Sequence, residues 1–394
     1  MSDYDAAANV IADNQPNVIA ALLCYRTHAP DRLWDDAAEA SDPSCLARLL
    51  DLFAPPAPDP GQKVAGWMVR AIRRDRPAVP ALCDARDIAF DAIEVANMAA
   101  RCGSVGVLAY LVSRGQRRRS AEASTTVPFD LGVLAWEAMT DTDGYASDAR
   151  GIAWLCDVAG YAPRPGTDDL RHLIEHACEE DDDGGGPQRI VYVAERWPGA
   201  FAALPKATLR GAFEHCVCQA RKPYRAAARL AKVLDAHTDP IERDAVAQDL
   251  DLWDVVVFNL SVESMRTFRT GSLVRILCLL ARGERPYAGD TGTARKGRKA
   301  CPCAQDPRWR HRGASSVESV HADGPADHDR PCDDATLAML APLGRWCVAR
   351  PIRTSTIFSG WVGPAPTYSA TTLDDLGKSH LVAWLAAHGF LLPD

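Results

Sequence analysis

Residues 95–115, VANMAARCGSVGVLAYLVSRG, limit what this chain can fold into more than any other stretch. They read as helix, turn, helix, stop. Met98, Ala99 and Ala100 are slim enough for a closely packed inner helix. Gly103 stands where the chain must reverse. Val107, Leu108, Leu111 and Val112 recur at helical spacing and form one apolar stripe. Gly115 stands where a helix end favours a left-handed residue, so the second helix is expected to stop there. A hairpin this small cannot bury its apolar side alone. Stacking on copies of itself solves the problem, and stacked hairpins point to binding rather than to chemistry.

The phrase returns along the chain. Residues 271–283, GSLVRILCLLARG, repeat its second half from turn glycine to closing glycine. Residues 37–50, AAEASDPSCLARLL, keep the paired alanines and paired leucines, with Ser41 at the turn. Residues 380–389, HLVAWLAAHG, read as a last second helix, and weaker echoes lie at 151–160, 190–196 and 226–237. Met98-Ala99-Ala100-Arg101-Cys102-Gly103 resembles the Leu-Ala-Ala-x-x-Gly phrase of the ankyrin repeat, and residues 105–115 follow that family's second helix without a gap. The family's Thr-Pro-Leu-His opening is absent throughout.

Closing positions fall at Gly115, Gly160, Gly199, His237 and Gly283, in steps of 45, 39, 38 and 46 residues. An ankyrin unit takes about 33 residues, and HEAT or armadillo units take about 40–47. Two architectures fit: ankyrin units with lengthened loops, and hairpins of another solenoid type. The resemblance implies an all-α solenoid of stacked helix-turn-helix repeats with irregular loop insertions, about seven or eight units in all. It also implies a non-enzymatic scaffold that binds a partner protein on a concave face, with Asn97 and Arg101 facing that partner in the clearest unit. Degenerate arrays in Ala-, Arg- and Asp-rich chains are similar to ankyrin proteins of large DNA viruses. That likeness implies a host protein as partner.

Composition narrows the class. A hydrophobic share of 47% and a charged share of 24% over 394 residues are those of a globular chain with a substantial core. A formal charge of −8 argues against coating nucleic acid. The acidic start, MSDYDAAAN, lacks the basic-then-apolar pattern of a secretory signal. No apolar run approaches the roughly 20 residues of a membrane helix. Seven of the 13 cysteines (Cys24, Cys45, Cys102, Cys156, Cys178, Cys278 and Cys347) fall singly on apolar helix faces. Buried reduced thiols are therefore expected, in an intracellular compartment, cytoplasmic or nuclear.

Three regions are expected. Residues 1–283 form the repeat array. Residues 284–333 have almost no aliphatic side chains and read as a disordered insertion. Residues 334–394 supply C-terminal repeats and a cap. Residues 54–60, APPAPDP, cannot be helical because closely spaced prolines remove donors and fix φ. Residues 116–126, with Arg117, Arg118 and Arg119, are expected to form an exposed excursion. The stretch 352–368 fits either a long ordered loop or a small hairpin.

Candidate chemistry is sparse. Residues 291–313 carry seven Lys or Arg against one acid, Asp306, together with Trp309. Such a tract fits three roles: a solvated loop, a nuclear-import address or a phosphate-binding segment. Arg295, Lys296, Arg298 and Lys299 are the contacts the last two roles would use. Cys301 and Cys303 are one residue apart, closer than paired structural zinc ligands usually are, and His311, His321, His328 and Cys332 are scattered beyond them. Cys216 and Cys218 would point about 200° apart on a helix, so neither is expected to chelate. Asp181, Asp182 and Asp183 lack the ligand register of a calcium loop. His215 beside Cys216 lacks both facing geometry and an orienting partner. No phosphate-cradling loop, dinucleotide fingerprint or nucleophile elbow is present. The reading therefore has no metal, no cofactor and no catalytic residue. Trp34, Trp136, Trp154, Trp253 and Trp384 fall at helical spacing with Leu and Ala. Most are expected to pack between repeats, with one or two left as exposed anchors.

Overall fold

The fold is given by a computed structural model that describes residues 28–121, 129–140, 149–179, 186–219, 223–258, 334–358 and 384–392. Shorter described pieces lie at 11, 15–18, 274, 277–278, 280–281 and 381–382. Among the described residues the class is all-α, with two-residue strands only at Ile352–Arg353 and Leu391–Leu392. The chain divides into two compact units, Met1–Tyr192 and Val193–Asp394.

The first unit is a succession of short helices. They are α1 (Asp31–Glu39), α2 (Ser44–Leu52), α3 (Gly66–Arg73), α4 (Ala78–Ala85), α5 (Ala92–Arg101) and α6 (Val105–Ala121). Next come α7 (Leu131–Met139), α8 (Arg150–Asp157), α9 (Asp169–Glu179) and α10 (Gly186–Arg196), the last of which runs across the division. The odd-numbered helices pack in sequence order, α1 on α3, α3 on α5, α5 on α7 and α7 on α9. Each of α2, α4, α6 and α8 packs on the odd helix just before it.

One buried pattern explains that order. The inner helices bury positions i, i+1, i+4 and i+5: Leu33, Trp34, Ala37 and Ala38 in α1, then Trp67, Met68, Ala71 and Ile72 in α3. Val95, Ala96, Ala99 and Ala100 follow in α5, and Leu134, Ala135, Ala138 and Met139 in α7. Helix α9 repeats the first three places with Leu173, Ile174 and Ala177. This stripe is wide enough to face an outer helix and a neighbouring inner helix at once. Its third place is alanine every time (37, 71, 99, 138 and 177), which lets successive inner helices approach closely.

Polar links reinforce the row. The carbonyl end of each inner helix is met by the next hairpin. Arg76 Nε donates to Glu39 O at 3.1 Å, Ser104 Oγ to Ile72 O, and Arg189 Nη1 to Met139 O at 3.3 Å. Ala100 O instead faces Gly151, where a Cβ would sit 2.6 Å from that oxygen, so glycine allows the close approach. The Asp75 carboxylate accepts from Gly106 N and Val107 N at 3.1 and 3.0 Å, capping α6 from the preceding hairpin. Outer helices are linked as well, through Asp51 to Arg86 (2.9 Å), Asp84 to Arg114 (2.6 Å) and Asp157 to Tyr192 (3.0 Å).

The second unit contains α11 (Pro198–Ala202), α12 (Lys206–Gln219), α13 (Pro223–His237), α14 (Pro240–Leu250), α15 (Leu252–Phe258) and α16 (Asp334–Trp346). Strand β1 (Ile352–Arg353), α17 (Thr354–Phe358) and β2 (Leu391–Leu392) complete it. The same buried spacing recurs with larger side chains: Ala212, Phe213, Cys216 and Val217 in α12, and Leu252, Trp253, Val256 and Val257 in α15. Helices α12 and α15 pack together. Helix α13 packs most broadly on α16, and Asp235 pairs with Arg345 at 2.6 Å. Strands β1 and β2 are parallel, with Ile352 opposite Leu391.

Several expectations are corrected here. Gly115 does not close a helix. It lies inside α6, which runs on to Ala121 and takes in residues expected to form an excursion. Glycine in a helix interior costs only about 1 kcal/mol, which tertiary packing overrides. Gly199 is the second residue of α11, so it opens a helix rather than closing one. Gly103, Gly160 and Gly389 do hold positive φ, at 64°, 80° and 68°. Helices α5 and α7 each open on an aspartate cap. Asp91 accepts from Ile93 N and Glu94 N, and Asp130 from Gly132 N and Val133 N. Residues 352–353 and 354–358 form a short strand and a short helix. The proposed insertion at 284–333 lies outside the described residues.

Candidate functional site

The inner helices of the first unit carry a second, outward pattern. Asn97 stands two places after the first buried residue of α5, and Trp136 stands at the matching place in α7. Asn97 is half-buried, whereas Trp136 is 41% exposed. Val133, one turn before Trp136, is 46% exposed, and Ile93 on α5 is 51% exposed. Leu52 on α2 and Val158 at the end of α8 are exposed as well, but Val133 and Trp136 stand together, one helical turn apart, and Trp136 is the one large aromatic side chain among these exposed residues.

Arg101 is tied into the fold. Its guanidinium meets Glu137 on α7 at 2.7 Å and Glu94 on its own helix at 3.4 Å. The same register recurs in two other helix pairs, as Glu39 to Arg70 at 3.7 Å between α1 and α3 and as Thr140 Oγ1 to His176 Nε2 at 2.7 Å between α7 and α9. In each case the residue six places after the first buried position meets the residue three places after it in the next inner helix. These links align neighbouring helices. The Thr140–His176 contact is thus one rung of a ladder, which gives it a structural reason independent of catalysis.

Beside Trp136 lies a groove of about 600 Å³ between the entry ends of α7 and α9. It is lined by Asp130, Val133, Trp136, Tyr161, Arg164, Asp169 and His172, among others. The Trp136 ring stacks on His176 with centroids 3.9 Å apart. Arg164 is held by Asp169 in a fork, Nε to Oδ2 at 3.0 Å and Nη2 to Oδ1 at 3.3 Å. Those hydrogen bonds, with one from the Arg164 backbone, hold the Asp169 carboxyl down at about 2. Burial first, and then the nearby Asp169 and Asp130 carboxylates, push the Tyr161 phenol up to about 12.

Other candidates resolve simply. Cys45, Cys83, Cys102, Cys156, Cys216, Cys278 and Cys347 are buried thiols outside any disulfide, and Cys178 is a half-buried one. Burial pushes the Cys83 thiol up to about 12, away from the reactive thiolate. His215 is buried on α12 beside Cys216. Trp34, Trp67, Trp253 and Trp346 are buried core residues. Among the described residues no cluster of three His, Cys, Asp or Glu is placed to hold a metal ion. No helix among them is long and apolar enough to cross a membrane. Arg295, Lys296, Arg298 and Lys299 lie outside the described residues. So do Asp181–Asp183 and the cysteines and histidines between 301 and 332.

Compared with protein-family models, with curated proteins and with solved structures, the chain has no match in any of the three. The internal repeat of Ala37, Ala71, Ala99, Ala138 and Ala177 is therefore the main guide to what the fold is for. Sequence reading caught that repeat at Ala37 and Ala99 but not at Ala71, Ala138 and Ala177, because alanine is common throughout this chain. It also missed the groove, whose walls come from α7, from the segment after α8 and from α9.

Proposed function

We propose that the first unit is an ankyrin-like solenoid that binds a partner protein along its inner helices. Helices of about ten residues suit the ankyrin plan, since two of them and a turn nearly fill a unit of about 33 residues. The alanine positions advance by 34, 28, 39 and 39 residues while the inner helices stay at 8 to 11, so the longer steps differ in what lies between inner helices, such as the 17-residue α6. Nearest-neighbour packing leaves one face of every inner helix uncovered by its own array.

The observation that carries the binding role is Trp136. Tryptophan is the residue type most enriched at binding hot spots, and this one stands exposed beside a groove. Asn97 stands at the matching place one hairpin earlier and extends the same surface. Arg101, one turn after Asn97 on the same side of α5, fixes α5 to α7 beside that surface.

Affinity purification of the full chain from cells that make it, followed by mass spectrometry, identifies the partner. Titration of that partner against Trp136→Ala then tests the face. Weakening by about 30-fold or more is expected, with an unchanged melting curve. A substitution on the outer row, Arg48→Ala, should leave affinity unchanged. Equal affinities for wild type and Trp136→Ala would defeat the reading.

A further inference from the structure

We infer that the groove between α7 and α9 receives a lysine or arginine side chain of the partner protein, laid along Trp136 toward Asp130. The inference rests on the reading of the inner-helix face as the docking surface.

Charge decides between guests. Two carboxylates and one guanidinium line the groove, and the guanidinium is already engaged: Arg164 is forked onto Asp169. Asp130 caps α7, accepting from Gly132 N at 2.8 Å, and among the described residues has no arginine or lysine forked onto it as Asp169 has. The entry end of α7, which would otherwise favour an anion, is answered by that aspartate. Tyr161, which lines the same groove, is close enough to feel both Asp169 and Asp130.

Each guest has a different consequence for Asp130. An acidic guest would approach two carboxylates and find Arg164 occupied. A purely apolar guest would cover Val133 and Trp136 but strip water from the Asp130 carboxylate without compensation. A cationic side chain with a hydrocarbon stem satisfies both needs. Its stem lies on Val133 and Trp136, its charge meets Asp130, and a cation beside an indole is further favoured by the ring quadrupole.

The test pans a phage-displayed library of random twelve-residue peptides against the full chain, with counter-selection on Trp136→Ala. Peptides rich in Lys or Arg, flanked by apolar residues, should be enriched. Asp130→Asn is the informative variant, because asparagine caps a helix as well as aspartate does and the fold is kept. Affinity of the selected peptides should fall about 5-fold in Asp130→Asn, since exposed charge pairs contribute modestly. Replacing the key Lys or Arg of the peptide by Gln should weaken binding to wild type but add little in Asp130→Asn. Trp136-dependent peptides with no basic residue, or affinity unchanged by Asp130→Asn, would overturn the cation inference and leave the docking face standing. An absence of any Trp136-dependent peptide would overturn both.

Discussion

The two units use the same local chemistry over very different chain distances. In the first, the polar links between outer helices join residues 26 to 35 positions apart, such as Tyr110 to Asp84 and Arg86 to Asp51. In the second, Arg229 to Glu195 keeps that scale, but Arg345 reaches Asp235 across 110 residues and Arg350 reaches Asp251 across 99. Helix α16 lies along α13 although α14, α15 and residues 259–333 intervene in sequence. In both units an acid on one helix meets a basic residue on its neighbour, wherever in the sequence that neighbour comes from. What changes is the cost of closure. Closing a loop of about 110 residues rather than about 35 costs roughly 1 kcal/mol more. The second unit should therefore fold more slowly, and it depends on one remote helix.

That contrast can be broken first at α16. Trp346 is fully buried there. Trp346→Ala should cost about 3–5 kcal/mol and raise hydrogen exchange in α13, over 100 residues away in sequence. The first unit should exchange as in wild type. If α13 keeps its protection in that variant, the remote pairing is not what holds the second unit.

Next in size is a contact inside the first unit. A Cβ at position 151 would sit 2.6 Å from Ala100 O. Gly151→Ala should cost about 1–3 kcal/mol, read from denaturant unfolding, with exchange rising in α5 and α8. A neutral outcome would mean that the carbonyl yields and that neighbouring hairpins are loosely coupled.

Gly115→Ala should have the opposite sign. The site is helical, and a Cβ would meet Phe129 at an ordinary 3.5 Å. A gain of about 0.5–1 kcal/mol is expected in the thermal or denaturant midpoint. Destabilisation would restore the reading of Gly115 as a helix stop.

The smallest effect is electrostatic. Hydrogen bonding to Arg345 holds the Asp235 carboxyl below its ordinary value. A carboxyl lowered on folding stabilises the native state above its unfolded value, near 3.8, and that stability is lost as pH falls through the folded value. Between pH 6 and pH 3 the second unit should thus lose stability more steeply in wild type than in Asp235→Asn. Parallel curves would show that the pair contributes nothing to stability.

How much of this was legible in the sequence followed from range. Gly103 and Gly389 were readable because a tight reversal imposes its own residue. The hairpin of α1 and α2 was readable because paired alanines and leucines repeat within 20 residues. Gly115 misled because a helix interior tolerates a glycine when its other face is packed. Arg117, Arg118 and Arg119 misled for a related reason, since a run of arginine suits an exposed helix as well as a loop. Arg101 was assigned to the binding face because its partner Glu137 lies 36 residues on, where spacing alone does not reach. Trp136 was not singled out from Trp34, Trp154, Trp253 and Trp384 as an exposed anchor, since helical spacing does not say which residues lack a neighbouring helix.

The central claim is that hairpins in the first unit depend on their neighbours in sequence order. Hydrogen exchange on Leu46→Ala, which hollows α2 at the start of the row, tests it most directly. The account predicts the largest loss of protection in α1 to α4, a smaller loss in α5 and α6, and near wild-type exchange in α7 and α8. A uniform rise from α1 to α10, or a rise confined to α7 and α8, would contradict it.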